Sequence, residues 1–167
     1  MADFEPCFQE VIHDEGGFKL TNIKGDAGGL TYAGISRRFH PEWPGWELVD
    51  KGEQPPTELV RQLYRKKFWD IALLDRMPQS IANDIFNFGV NADPRVSVKL
   101  AQTVVGVSPD GVVGPKTIEA LSKVDPEIFK AYFCLAKIAR YRDIVRKNPK
   151  QIKFLMGWIN RSLEKLS

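Results

Sequence analysis

Residues 14–36 read DEGGFKLTNIKGDAGGLTYAGIS, and the change of rhythm inside this stretch decides the fold class. Upstream, Phe4, Phe8, Val11 and Glu15 fall at steps of four, three and four residues, the spacing of one stripe on an α-helix. Within residues 18–35 the pattern alternates with a period of two, as in short strands, and helical spacing returns downstream through most of the chain. The expectation is therefore a mainly α protein with a small β-hairpin. Helices are read near 3–15, 33–39, 57–68, 78–91, 94–105, 115–123, 126–147 and 150–165. The segment 40–56 holds four prolines and two glycines and reads as an irregular surface stretch.

The first helix has a clear start and stop. Asp3 is placed to cap it, Pro6 is tolerated in its first turn, and Gly16 and Gly17 can end it with positive φ. Glu15 thus sits at the helix terminus on the apolar stripe, whereas Glu10 and Asp14 point elsewhere. Partial desolvation there and the negative end of the helix dipole both disfavour a carboxylate and raise the pKa. A glycosidic general acid needs that property. An ordinary glutamate at a helix end fits the same spacing, and both readings stand at this point.

Beyond Glu15, glycines 25, 28 and 29 permit tight turns, so a hairpin can carry Asp26 and Thr31 back opposite the helix end. GDAGG matches neither the calcium loop pattern nor a phosphate loop followed by GK[ST]. His13, Asp14 and Glu15 are neighbours in sequence, and neighbours on a helix do not face one another. No metal and no cofactor is expected. Cys7 and Cys134 match no metal or redox spacing, and each lies among apolar residues, as buried thiols do.

At 167 residues with a net charge of +3, the chain is long enough for a sizeable core, and its 43% hydrophobic content excludes disorder. The charge is uneven: residues 1–80 carry 10 basic and 13 acidic side chains, residues 81–167 carry 14 and 8. A basic C-terminal part suits an anionic polymer such as cell wall or nucleic acid, and equally a solvated helix face. No run of 18 or more apolar residues is present, and the start MADFEPCFQEV lacks a signal peptide's basic and apolar regions. The expectation is synthesis in the cytoplasm without a cleaved signal.

Further along, Asn83, Asn87 and Asn91 form an amide stripe beside Ile81, Ile85 and Phe88. Such a stripe suits N-acetyl groups and sugar hydroxyls, or an internal hydrogen-bond network. Trp69 is read either as a sugar-stacking surface or as core. In 100–121, LAQTVVGVSPDGVVGPKTIEAL, a Pro-Asp-Gly turn is followed by Gly114-Pro115 opening a helix.

DEGGF followed by GDAGGLTYAGIS resembles the glycoside hydrolase family 108 muramidases, and more distantly the glutamate, aspartate and threonine arrangement of phage-type lysozymes. LYRKKFWD at 63–70, NDIFNFGVNAD at 83–93 and FLMGWINR at 154–161 extend the resemblance over nearly the whole chain. Phe18 stands where the family usually has Tyr. The 100–121 stretch resembles a peptidoglycan-binding pattern.

The resemblance implies a lysozyme-like fold of two lobes around a cleft, with a catalytic portion at 1–92 and a helical, peptidoglycan-binding portion at 93–167. It implies cleavage of the β-1,4 bond between N-acetylmuramic acid and N-acetylglucosamine, with Glu15 as the acid. Asp26 and Thr31 would handle water, and Asn83, Asn87, Trp69 and Tyr32 would contact the glycan. The expected partner of this monomer is the peptidoglycan strand rather than nucleic acid, reached after release or export by another system. A lytic transglycosylase and a non-catalytic wall-binding or nucleic-acid-binding module are the alternatives.

Overall fold

A computed structural model describes residues 1–22, 29–164 and 166. The chain divides into two compact units, one of Asp3–Asp75 and one of Arg76–Ser167 together with Met1–Ala2. The class is the expected one, mostly helical with a single small antiparallel sheet among the described residues.

In the N-terminal unit, α1 (Phe4–Asp14) is capped by the Asp3 side chain, which accepts from the Glu5 amide at 3.1 Å. Its buried stripe is Phe4, Phe8 and Val11, with Cys7 and Ile12 alongside. The helix ends in a Schellman motif: the Gly17 amide donates to the Ile12 carbonyl at 2.8 Å and the Gly16 amide to that of His13 at 3.0 Å. Gly16 and Gly17 have φ of 83° and 84°, a region disfavoured for residues with a Cβ.

The sheet order is β1 (Leu20–Asn22), β2 (Leu30–Tyr32), β3 (Ile35–Ser36), both pairs antiparallel, with Thr31 opposite Thr21 on one side and Ser36 on the other. The helix expected at 33–39 is not formed. Ala33 and Gly34, with φ of 49° and 78°, make the two-residue turn between β2 and β3. Positive φ at both central positions matches a strand connection and is incompatible with a right-handed helix.

A short helix α2 (Gly45–Asp50) lies inside the segment read as irregular. Next, α3 (Thr57–Tyr64) continues into a π-helical turn, Arg65–Trp69. The unit's core is largely aromatic. Phe4 stacks on Phe8 at 5.4 Å, Trp69 meets Phe4 edge-on at 5.3 Å, and Tyr64 meets Phe8 edge-on at 5.8 Å. Tyr32 stacks on Trp43 at 5.8 Å.

In the second unit, α4 (Gln79–Ala92) packs on α5 (Pro94–Val104) and on α7 (Pro126–Lys147), with α6 (Pro115–Lys123) and α8 (Ile152–Glu164) completing it. Caps set the register. Asp93 accepts from the amides of Arg95 and Val96, and Asp125 from those of Glu127 and Ile128, each just ahead of a proline in the first helical position. Phe88, Phe129 and Phe133 form the aromatic centre, with Phe88 edge-on to Phe133 at 5.8 Å. Cys7 and Cys134 are free thiols, each buried in its own unit.

The 100–121 segment is organised by one side chain. Gln102, 1% exposed, donates to Asp110 Oδ1 at 2.8 Å, the Val112 carbonyl at 3.0 Å and Thr117 Oγ1 at 3.2 Å, and accepts from the Gly111 amide at 2.9 Å. These residues of the peptidoglycan-binding pattern thus hold one another. Gln102→Leu removes every one of these partners at once while keeping the volume. It is expected to destabilise this unit by about 2–4 kcal/mol, since buried groups left unpaired cost roughly 1–3 kcal/mol each. Chemical denaturation checks this.

Candidate active site

Glu15 occupies the C-cap of α1, with φ of −76° and ψ of 0°, just before the two left-handed glycines. Helical rise places it at the end of the stripe begun by Phe4. The residue itself is exposed, so the desolvation expected from its stripe does not extend around the whole side chain. One side is nevertheless closely packed. A Cβ added at Gly34 would lie 2.9 Å from Glu15 Cγ and 3.0 Å from Cδ, so Glu15 rests against the bare backbone of the β2–β3 turn. The same Cβ would meet the Tyr64 hydroxyl, which ends beside Gly34 and donates to the Ala33 carbonyl at 2.9 Å.

Helix end, turn and phenol therefore converge. Tyr64 is 1% exposed, and its phenol is held above the usual tyrosine range, first by burial and then by the nearby charge of Glu15. It stays protonated and able to donate across any ordinary working pH.

Thr31 is half-buried on β2, its hydroxyl facing the Gly29 carbonyl at 3.4 Å. Strand alternation turns it away from the face that buries its neighbour Tyr32. Tyr32, 3% exposed, stacks on Trp43 and reaches the Pro55 carbonyl at 3.4 Å. Trp69 is fully buried and donates to Asp75 at 2.7 Å, so neither ring offers a face to a sugar here. Asp26 lies outside the described residues.

Asn83 and Asn87 belong to the other unit, both half-buried on α4. Asn87 lines a small depression with Asp84, Asn91, Tyr141 and Arg161, where the Arg161 guanidinium donates to Asn91 at 3.1 Å. The structure thus brings Gly34 and Tyr64 to Glu15, neither of which sequence reasoning assigned to the site. A Gly following Ala between two short strands was the available signal for the turn.

A groove of about 680 Å³ also marks the N-terminal unit, and Glu15 is not among its walls. Within it Arg61 pairs with Glu5 and Glu58, and Arg65 with Asp70. Among the described residues no group of three or more His, Cys, Asp or Glu is arranged to hold a metal ion. None of the described helices is long and apolar enough to cross a membrane.

An exposed glutamate at a helix end, packed on a glycine turn, is the kind of group that can deliver a proton to a polymer's bridging oxygen. The chain belongs to the glycosyl hydrolase 108 family, whose model matches residues 8–92. A second model, described as a predicted peptidoglycan domain, matches residues 96–163. The structure of Brucella abortus SagA is similar, with a TM-score of 0.75 and 26% identity over 98% of this chain and 91% of that one. No curated protein matches. The protein is accordingly a peptidoglycan-hydrolysing glycosidase of lysozyme-like, mostly helical fold that acts on the cell wall.

Proposed function

We propose that the protein is an N-acetylmuramidase, cleaving the β-1,4 bond between N-acetylmuramic acid and N-acetylglucosamine with Glu15 as general acid. The observation that carries this reading is the position of Glu15: solvent-accessible at the end of α1, yet steadied on one side by the Gly34 backbone. In the reaction the C1–O4 bond breaks. Glu15 gives its proton to the departing O4 of N-acetylglucosamine, and a water supplies hydroxyl to C1 of the muramic acid. Asp26, with the Thr31 hydroxyl, takes the proton from that water and orients it, so the anomer inverts. Residues 1–92 carry the chemistry and 93–167 hold the wall polymer, with Asn83 and Asn87 gripping acetamido groups. The enzyme works as a monomer.

Borohydride reduction of digested, purified peptidoglycan tests the choice of bond. Muramitol at the new ends is the expected product. Glucosaminitol would assign the opposite bond, and 1,6-anhydro ends would assign a lytic transglycosylase.

A further inference from the structure

We propose that Tyr64 is a positioning residue for Glu15, acting through the Ala33–Gly34 turn; this rests on the reading of Glu15 as the acid. Three observations lead there. Ala33 carries a Cβ at φ of 49° and is 1% exposed, a conformation that costs energy for a non-glycine residue and persists where its surroundings enforce it. What enforces it includes the Tyr64 hydroxyl, donating at 2.9 Å to the Ala33 carbonyl from a ring fixed edge-on to Phe8 at 5.8 Å and tilted against Phe68 at 5.6 Å. The next residue, Gly34, then presents bare backbone to Glu15, whose Cγ and Cδ occupy the space a side chain would need.

The arrangement works as a stop. Fixing the Ala33 peptide fixes where Gly34 stands, and Gly34 limits how far the Glu15 carboxyl can swing. Helix α1 sets the other end of the glutamate side chain, and the Schellman turn keeps the chain beyond it out of the way. A proton donor gains from such confinement because misplacement by about 1 Å is enough to cost around a hundredfold in rate. Tyr64 is also the last residue of α3 and immediately precedes the π-helical turn Arg65–Trp69. π-turns recur at functional sites, where they re-aim side chains.

Tyr64→Phe removes one hydroxyl and leaves the ring in its aromatic setting, so the fold is retained. On purified peptidoglycan, kcat is expected to fall about tenfold, with KM within twofold, the signature of a lost transition-state contribution rather than lost binding. In the absence of substrate, the ¹³C resonance of the Glu15 carboxyl is expected to titrate with a midpoint displaced from that of wild type. A purely structural role would lower stability without moving that midpoint. Gly34→Ala places a methyl against both the Glu15 side chain and the Tyr64 hydroxyl, at a φ of 78° that strains any residue with a Cβ, and is expected to lower kcat further, about a hundredfold.

A Tyr64→Phe enzyme with wild-type kcat, or an unmoved Glu15 titration, overturns the proposal. The failure of the underlying reading looks different: Glu15→Gln would then stay active. The Glu15 titration reports on the contact between turn and carboxyl whether or not the enzyme turns over.

Discussion

Glu15→Gln is expected to lower the rate at which purified peptidoglycan clears by about 10²–10⁴-fold, the usual contribution of a general acid. The substitution keeps side-chain length and shape, so the contact with Gly34 survives. What it removes is a proton that can be given to O4. Glu15 is exposed and makes α1's C-cap through its backbone, which donates to the Val11 carbonyl at 2.9 Å. Its amide replacement leaves that bond alone, so the melting temperature should stay within a degree or two, as for surface changes of about ±0.5 kcal/mol or less. A variant as active as the parent would remove Glu15 from the mechanism. A variant that loses activity only because it unfolds would leave the drop without the meaning given to it here, and circular dichroism separates the two.

Trp69→Ala carries the largest expected cost in stability, about 3–5 kcal/mol, the range for truncating a large aromatic in a packed core. The indole is fully buried, edge-on to Phe4 at 5.3 Å, and its Nε1 donates to Asp75 at 2.7 Å. Asp75 also receives the Arg65 guanidinium at 2.9 Å, so the substitution loosens an ion pair that helps close the end of the N-terminal unit. Trp69→Phe keeps the hydrophobic contact and gives up the hydrogen bond, for a smaller loss of about 1–3 kcal/mol. Urea unfolding measures both. A sugar-stacking tryptophan would behave in the opposite way, keeping stability and losing affinity for glycan chains. If Trp69→Ala melts like wild type but binds peptidoglycan weakly, the core role assigned to this residue is wrong.

Much of the helical framework is legible in the sequence because its signals are local. Asp3 caps α1, and Gly16 and Gly17 end it, each through bonds spanning at most five residues. Asp93-Pro94, Gly114-Pro115 and Asp125-Pro126 mark three further starts, and α6 and α7 run as expected over 115–123 and 126–147. The misread elements are those whose geometry is imposed from a distance. Ala33 gives no turn signal, since alanine rarely takes positive φ; its conformation is supported by a tyrosine 31 positions away. That is why 33–39 looks helical. Helix α2 was hidden by its setting among four prolines, although Gly45–Asp50 itself contains none.

The same contrast governs the site. Glu15 stands out because helix periodicity and a glycine stop are both written nearby. Gly34 and Tyr64 do not, because nothing local in AGIS or LYRKK says that a phenol and a carboxyl meet at one glycine. Gln102 is similar: the sequence shows the spacing of a peptidoglycan-binding pattern, whereas the structure shows Gln102, Asp110 and Thr117 spending their polar groups on one another.

Digestion of purified peptidoglycan in H₂¹⁸O tests the central claim most directly. Hydrolysis assisted by Glu15 predicts one ¹⁸O atom in each newly formed reducing muramic acid end with the wild-type enzyme, and about 10²–10⁴-fold fewer such ends in the same time with Glu15→Gln. New ends that carry no ¹⁸O, or ¹⁸O-labelled ends released equally by the Glu15→Gln protein, would contradict it.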